Sequence, residues 1–310
     1  MFAPPAVSRE LVEAVSQGKP LSSARLAVAE AQPVDGDAAP EIERIKIIGL
    51  RRNIAERMQL AKRRIPHFTY VEEIDVTELE RLRQQLNTSP VDRSTGPTSN
   101  RGSSPVGPVS LVGKPVNELD GDGSKWTNDQ VGGRIKLTVL PFIMRAVVKA
   151  IASHPQMNAR FDDDAGVLER YREVRLGIAV QTMKGLMVPV VKGMRTLDLW
   201  ESAGEVARLS ELARTSKIKI EDLVGSTITV TSLGTLGGIV STPVINYPEV
   251  AVIGVNKIVE RPVYIERELV PRKIMNLSSS FDHRVIDGAD AAAFIQEIKR
   301  LLETPALLFL

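Results

Sequence analysis

The chain has 310 residues, of which 43% are hydrophobic and 25% are charged, a composition typical of a globular protein with a full core. Its 40 basic and 38 acidic residues nearly balance and only 4% of residues are aromatic, so composition favours neither a nucleic-acid partner nor a stacking surface for single strands. No apolar run reaches the roughly 18 residues of a membrane-spanning helix. The lack of cysteine excludes disulfides, thiolate metal sites and a cysteine nucleophile, and we predict no metal site.

The N-terminal part is predicted to lie outside the main domain. Residues 1–31 carry apolar residues at helical spacing, which favours two short helices too small for a core of their own. Residues 32–43 are rich in Pro, Asp and Ala and are typical of a linker. Residues 44–310 are predicted to form the main domain.

The main domain is predicted to open with a helix, a strand and a second helix. Apolar spacing over residues 50–65 indicates a basic amphipathic helix that Pro66 ends. Alternation over residues 67–76 indicates a strand. Thr77 and Glu80 have the spacing of a capping box, which predicts a helix start there.

Residues 88–133 are dense in Pro, Gly, Ser, Thr and Asn without periodicity, which predicts a largely disordered insertion. Regular elements return from residue 135. The predicted helices are 137–153, 197–215 and 289–303, and the predicted strands are 174–180, 186–191, 226–232, 249–255 and 273–280. Strands and helices are mixed without a strict βαβ alternation.

Without cysteine, a base that works near neutral pH must be a histidine or a perturbed carboxylate or lysine. His67 and His154 are predicted to be turn or surface histidines. His283 lies in SSSFDHRVIDGAD, with Asp287 four residues on and with Gly288 permitting a tight path into the last helix. If the turn is helical, the Asp287 carboxylate shares a face with the imidazole and can support it. The alternative is a strand-end histidine with solvated neighbours.

The segment SSSFDHRVIDGADAAAFIQEIKRLLETP resembles the C-terminal signature of dihydrolipoamide acyltransferases, the E2 cores of 2-oxo acid dehydrogenase complexes. Their D-H-R-x-x-D-G pattern is Asp282, His283, Arg284, Asp287 and Gly288. The resemblance continues in IGLRRNIAERMQLAKRRIPHFTYVEEIDVTEL, GIAVQTMKGLMVPVV and TITVTSLGTLGGIVSTPVINYPEVAVIGV, and covers residues 44–87 and 134–310. IPHFTYVEEIDVTEL and IMNLSSSFDHRVIDGA look closest to the branched-chain type, with the pyruvate type second.

The resemblance implies an α+β fold like that of chloramphenicol acetyltransferase, a mixed sheet flanked by helices. It implies an acyltransferase of the EC 2.3.1 class that moves an acyl group between a dihydrolipoyl thioester and coenzyme A. It also implies a homotrimer with active sites between subunits, which assembles into a larger core and works with E1 and E3 components and a lipoyl domain. No nucleic-acid or membrane partner is implied.

The resemblance also assigns the chemistry to particular residues. His283 is implied as the general base that takes the proton of the CoA thiol. Thr231 is implied as the hydroxyl donor to the oxyanion of the tetrahedral intermediate, with Ser232 as its competitor.

Three further residues receive supporting roles from the resemblance. Asp287 is implied to support the site electrostatically. Ser241 is implied to line the channel for the pantetheine arm of CoA. Arg284 is implied either to contact a CoA phosphate or to form an internal ion pair.

Departures from the family pattern keep other readings open. This chain shows no lipoyl domain, and residues 1–31 resemble at most a truncated or vestigial peripheral-subunit-binding domain. The start lacks the features of a secretory signal, so we expect a cytoplasmic protein, or a mitochondrial-matrix protein if the chain is a processed fragment. The alternatives are a structural core without turnover and a free-standing CoA-dependent acyltransferase acting on a small molecule. The apolar end ETPALLFL is expected to be covered by another chain.

Overall fold

The computed structural model describes Ile42, residues 44–88 and residues 135–310. The described residues from Ile47 to Leu310 belong to one compact unit. The predictions for residues 1–31, for the linker and for the insertion fall almost entirely outside these ranges. Inside them, no helix combines the length and the apolar character needed to cross a membrane.

Five α-helices form in the described part of the chain, each at a predicted place. They are α1 (Gly49–Arg64), α2 (Thr77–Thr88), α3 (Leu140–Ser153), α4 (Leu199–Arg214) and α5 (Gly288–Glu303). A short 3-10 turn, Pro305–Leu308, follows α5. The apolar spacing in the sequence therefore identified α1, α3, α4 and α5 correctly, and the spacing of Thr77 and Glu80 identified the start of α2.

α2 starts at Thr77 as predicted, but Thr77 and Glu80 do not form the predicted capping box. The Asp75 carboxylate accepts hydrogen bonds from the Thr77 backbone N–H at 2.9 Å and from the Thr77 hydroxyl at 2.5 Å. Glu80 forms an ion pair within the helix and does not reach back to its start. A box of the predicted kind opens α4, where the side chains of Asp198 and Glu201 each accept from the other's backbone N–H.

Ten strands form in the same ranges. They are β1 (His67–Asp75), β2 (Ala159–Asp162), β3 (Val167–Arg170), β4 (Leu176–Ile178), β5 (Val180–Thr182), β6 (Gly185–Met187), β7 (Val190–Val191), β8 (Ile228–Ser232), β9 (Ala251–Ile265) and β10 (Glu268–Asp282). Six of them form one mixed sheet in the order β1-β10-β9-β8-β4-β7. β10 is antiparallel to β1 and β9, whereas β8 runs parallel to β9 and β4. The predicted α+β fold, a mixed sheet flanked by helices, is confirmed.

The sheet has one apolar and one polar face because side chains alternate along β10. Leu277 and Phe281 are fully buried in the core that includes α3 and α5. Ser278 and Ser280 point the opposite way, and the Ser280 hydroxyl meets the Thr69 hydroxyl of β1 at 3.0 Å. The predicted functional residues lie along this polar face and at its ends.

β9 and β10 are each 15 residues long, about twice the predicted length. Beyond the sheet they continue as a largely exposed hairpin, which turns at Glu266 and Arg267 with φ of 47° and 73°. Because this extension buries little, it lacks the apolar run on which the strand prediction depended. The β2–β3 hairpin was missed for the same reason, since three of the four β3 residues are exposed.

Candidate active site

The D-H-R turn begins at Asp282, the last residue of β10, and this residue anchors it. Asp282 is fully buried, and its backbone carbonyl accepts hydrogen bonds from the N–H groups of Val285 and Ile286. Its carboxylate accepts from the Arg284 Nε at 2.9 Å and from the Arg284 Nη2 at 2.6 Å. The buried negative charge is therefore paired within the turn.

Arg284 continues this ion pair outward to the β2–β3 hairpin. Its Nη1 binds the Asp163 carboxylate, and its guanidinium lies over the Phe161 ring at 4.5 Å. Hydrogen bonding to Asp282 raises the pKa of the guanidinium above its ordinary value. Because these contacts occupy the side chain, the geometry favours the predicted internal ion pair, and the CoA-phosphate contact stays a prediction.

His283 is exposed, and its position is fixed from the β1 side. Its backbone N–H donates to the Pro66 carbonyl at 3.2 Å. Its ring packs on the Phe68 ring with centroids 4.4 Å apart and an angle of 45° between the planes. An exposed imidazole held by a ring contact is accessible to a substrate while its plane stays defined.

The prediction that Asp287 supports the His283 imidazole depended on a helical turn that places both side chains on one face. The structure shows no such shared face. Asp287 is the N-cap residue of α5 with extended backbone angles, φ −85° and ψ 161°. No hydrogen bond joins the Asp287 carboxylate to His283 in the described chain. The expected reason for Gly288 is also wrong, because this residue begins α5 without a positive φ, and a Cβ there would meet nothing within 4 Å.

Thr231 lies near the carboxyl end of β8 on the polar face of the sheet. It is aligned with Gly254 of β9 and is partly exposed. The neighbouring Ser232 hydroxyl accepts a hydrogen bond from the Gly234 N–H at 3.3 Å, within the following turn. The Thr231 hydroxyl makes no hydrogen bond within the described ranges, so it is free to donate to a substrate, and Ser232 is the less available of the two.

Ser241 lies over Gly254 of β9, the residue with which Thr231 of β8 is aligned. Its backbone N–H donates to the Ser278 hydroxyl at 3.2 Å. A Cβ at Gly254 would lie 2.5 Å from the Ser278 carbonyl oxygen and 3.2 Å from the Ser241 Oγ. Glycine at this position therefore lets the segment with Ser241 approach the sheet next to Thr231.

The structure does not bring Thr231 and His283 together within one chain. Thr231 is aligned with Gly254 and Gly254 with Ser278, whereas His283 lies five residues beyond Ser278 at the other end of the sheet. With a rise of about 3.3 Å per residue and about 4.8 Å between strands, their backbones are about 19 Å apart. One chain thus carries two separate groups, which we name the base half-site (Asp282, His283, Arg284 and Asp287) and the hydroxyl half-site (Thr231 and Ser241).

His67, predicted to be a turn or surface histidine, instead lies in the sheet and is hydrogen-bonded. It begins β1, aligned with Asp282, and both of its ring nitrogens are hydrogen-bonded. Burial lowers its pKa below the ordinary value. The only sequence signal was its place between a helix-ending proline and a strand.

Glu249 is a second missed residue and is 1% exposed. Its Oε1 accepts from the Thr229 hydroxyl at 2.9 Å and from the Asn246 amide at 2.7 Å, and it also binds the Ser226 hydroxyl. Its Oε2 has no partner among the described residues. Burial raises the pKa of this carboxyl to about 7. A lone acidic residue in an otherwise apolar predicted strand was the available signal.

Solved structures define the class of protein to which this fold belongs. A dihydrolipoamide acetyltransferase from Azotobacter vinelandii has a TM-score of 0.70 and 30% identity, over 90% of this chain and 99% of that one. The cubic core of a pyruvate dehydrogenase multienzyme complex has a TM-score of 0.70 and 31% identity over the same shares. The fold is that of the catalytic cores of dihydrolipoamide acyltransferases.

Sequence comparison then gives the family. The model of the family described as 2-oxoacid dehydrogenases acyltransferase (catalytic domain) matches residues 39–310, and the chain belongs to that family. The lipoamide acyltransferase components of the branched-chain alpha-keto acid dehydrogenase complexes of Pseudomonas aeruginosa and Pseudomonas putida are 54% and 52% identical to it, each over 86% of this chain. An acetyltransferase component of the pyruvate dehydrogenase complex from Staphylococcus epidermidis is 34% identical over the same share. The chain spans about half the length of these curated relatives, 53%, 54% and 52%. The predicted family is confirmed.

Proposed function

We propose that this chain is the catalytic core of an E2 acyltransferase that moves an acyl group between a dihydrolipoyl thioester and coenzyme A. The branched-chain type is favoured over the pyruvate type, since the Pseudomonas relatives are more similar than the staphylococcal one. The observation that carries the proposal is the pair of half-sites at opposite ends of one sheet, each with the group that one half of the reaction needs.

Each half-site has a defined step in the proposed reaction. The His283 imidazole takes the proton of the CoA thiol, and the thiolate attacks the thioester carbonyl of the acyl-dihydrolipoyl group. The Thr231 hydroxyl donates to the oxyanion that forms. When the intermediate collapses, the dihydrolipoyl sulfur leaves and recovers the proton from the imidazolium. Asp287 adds a negative charge near the imidazolium, and Ser241 lines the path of the pantetheine arm.

A separation of about 19 Å is too large for one substrate carbonyl to reach both His283 and Thr231 of one chain, because a hydrogen bond spans about 3 Å. We therefore propose that the base half-site of one subunit faces the hydroxyl half-site of the next, in a homotrimer that assembles into a larger core. E1, E3 and a lipoyl domain are the proposed partners.

The division of the chain also stays a proposal. It comprises an N-terminal segment (residues 1–31), a linker (32–43) and the catalytic domain (44–310).

Mixing two inactive variants tests this arrangement. His283→Ala should lower kcat by roughly 10²–10⁴-fold and Thr231→Ala by roughly 10²-fold, measured as acyl transfer from isobutyryl-CoA and acetyl-CoA to free dihydrolipoamide. Co-expressed in equal amounts, the two variants should recover about one quarter of wild-type sites, because each shared site then draws its halves from two chains at random.

The control is His154→Gln, since this histidine packs edge-on against Phe294 at 5.8 Å and belongs to neither half-site. It should keep wild-type turnover. Failure of the mixture to exceed the activity of its components would contradict the shared site. Wild-type turnover by His283→Ala would contradict the proposed base.

A further inference from the structure

A segment without helix or strand crosses the polar face of the sheet and connects the two half-sites. We name residues 239–249 the strap. At the hydroxyl half-site, the Asn276 amide donates to the Ile239 carbonyl at 3.0 Å and the Ser241 N–H binds the Ser278 hydroxyl. At the base half-site, the Ile245 N–H donates to the His67 Nε2 at 3.0 Å. His67 thus holds the strap at the end opposite to Ser241.

The contacts of His67 define its protonation state. Nδ1 lies 2.8 Å from the Ile65 carbonyl oxygen, which can only accept, so Nδ1 carries the proton. Nε2 receives the Ile245 N–H, so it must present its lone pair. Both contacts are satisfied together only by the neutral ring with the proton on Nδ1.

The surroundings of the ring preserve this state at neutral pH. Ile65, Ile245 and Val252 form a small buried cluster around the contact. The charged groups that face the ring are Lys62 of α1, which disfavours protonation, and Asp282 of β10, which favours it. Asp282 is already paired with Arg284, and residues 241–247 of the strap contribute no charged side chain.

We propose that His67 is a positioning residue whose neutral ring holds the strap, and with it Ser241, against the sheet. The catalytic part of this inference rests on the proposed function. A proton on Nε2 would place two donors against each other at the Ile245 N–H and break the contact. The strap then loosens as the pH falls, and Ser241 loses its fixed position next to Thr231.

A matched pair of variants of the full chain separates the hydrogen bond from simple packing. In His67→Gln, the side-chain oxygen reaches the position of Nε2 and accepts from Ile245 without titrating. In His67→Asn, the amide reaches only the position of Nδ1, so the Ile245 N–H loses its acceptor. Hydrogen–deuterium exchange of the strap, followed by mass spectrometry, should be roughly 3–10-fold faster in His67→Asn and near wild type in His67→Gln, the range set by one hydrogen bond.

The pH dependence of the wild-type chain provides a second measurement. Its strap exchange, corrected for the intrinsic rate, should rise relative to that of His67→Gln as the pH falls from 7 to 5.5. Glu249, whose pKa is about 7, titrates in both chains, so the comparison between them isolates His67. In the acyl-transfer assay, His67→Asn should raise the KM for acetyl-CoA and isobutyryl-CoA several-fold with little change in kcat, and His67→Gln should restore it.

These measurements keep the two proposals distinguishable. Equal strap exchange in His67→Asn and wild type, or the same acid dependence of exchange in wild type and His67→Gln, would overturn the role of His67. A strap that responds as expected in a chain without acyl transfer would leave the His67 contact standing and overturn the proposed function.

Discussion

The carboxyl group of Glu249 is buried and forms no ion pair among the described residues, and this burial couples folding to pH. In the unfolded chain this group ionises near its ordinary value of 4.5, whereas in the folded chain its pKa is about 7. Between these values the unfolded chain releases the proton first, so the free energy of unfolding falls as the pH rises. Above pH 7 both states are ionised and the loss is complete, at about 3 kcal/mol.

Glu249→Gln should remove this dependence. Between pH 4.5 and pH 8 the wild type should lose about 3 kcal/mol of unfolding free energy that the variant does not lose. The difference between the two chains is measured by urea denaturation at fixed protein concentration. Glu205→Gln is the control, because a hydrogen bond from Arg208 lowers the pKa of Glu205 and the dependence has the opposite sign. Parallel pH curves for wild type and Glu249→Gln would contradict the buried neutral carboxyl.

At residue scale, the site could be predicted from the sequence where its residues form a contiguous motif. Asp282, His283 and Arg284 are adjacent, so their chemistry could be predicted together. The hydrogen bond between His67 and Ile245 joins residues 178 positions apart. No local pattern encodes such a contact, because it depends on the path of the strap over the sheet.

At the scale of elements, Gly254 and Gly288 differ in the space that the surrounding structure leaves for a side chain. A side chain at Gly254 would meet the Ser278 carbonyl of β10 at 2.5 Å, within hydrogen-bonded strands that cannot separate locally. A side chain at Gly288 would enter open space at the start of α5.

Gly254→Ala should therefore lower the free energy of unfolding by about 1–3 kcal/mol, as in other overpacked sites. Gly288→Ala should raise it by about 0.5 kcal/mol, because alanine restricts the unfolded chain. Thermal unfolding of the two variants beside wild type measures both effects. Equal effects in the two variants would contradict the close approach of the β10 backbone to Gly254.

The predicted elements were correct where their burial is periodic and were incomplete where it is not. α3 buries nine of its 14 residues and lies within its predicted range. The outer part of the β9–β10 hairpin has mixed polar and apolar residues that face solvent. Pairing between the two strands defines it, and pairing partners cannot be inferred from composition.

For the molecule as a whole, the chain end combines a buried and an exposed apolar part. Leu308 packs into the core at 2% exposure, whereas Phe309 and Leu310 are 57% and 92% exposed. A cavity of 390 Å³ borders Leu307 and Leu310. The exposed pair is available to a neighbouring subunit, while Leu308 belongs to the fold.

Deleting residues 309–310 should therefore reduce assembly beyond the proposed trimer without changing unfolding, measured by size-exclusion chromatography with light scattering. Deleting residues 307–310 should also cost about 2 kcal/mol of stability, because the burial of Leu308 is lost. Ile220→Ser is the control and should leave assembly intact. Ile220 is an apolar residue away from the chain end, and it is 77% exposed. An unchanged particle mass after the two-residue deletion would contradict a role for the tail in assembly.

The pairing of β1 with β10 has a consequence for biosynthesis. Thr69 and Ser280 meet across these strands although they are 211 residues apart in the chain. At 5–20 residues per second, a ribosome needs about 10–40 s to make the chain between them. During that interval β1 has no partner, and His283, Phe68 and the Pro66 carbonyl cannot meet. The base half-site is thus among the last parts of the nascent protein to form, and a chain released early would expose an unpaired strand edge to aggregation.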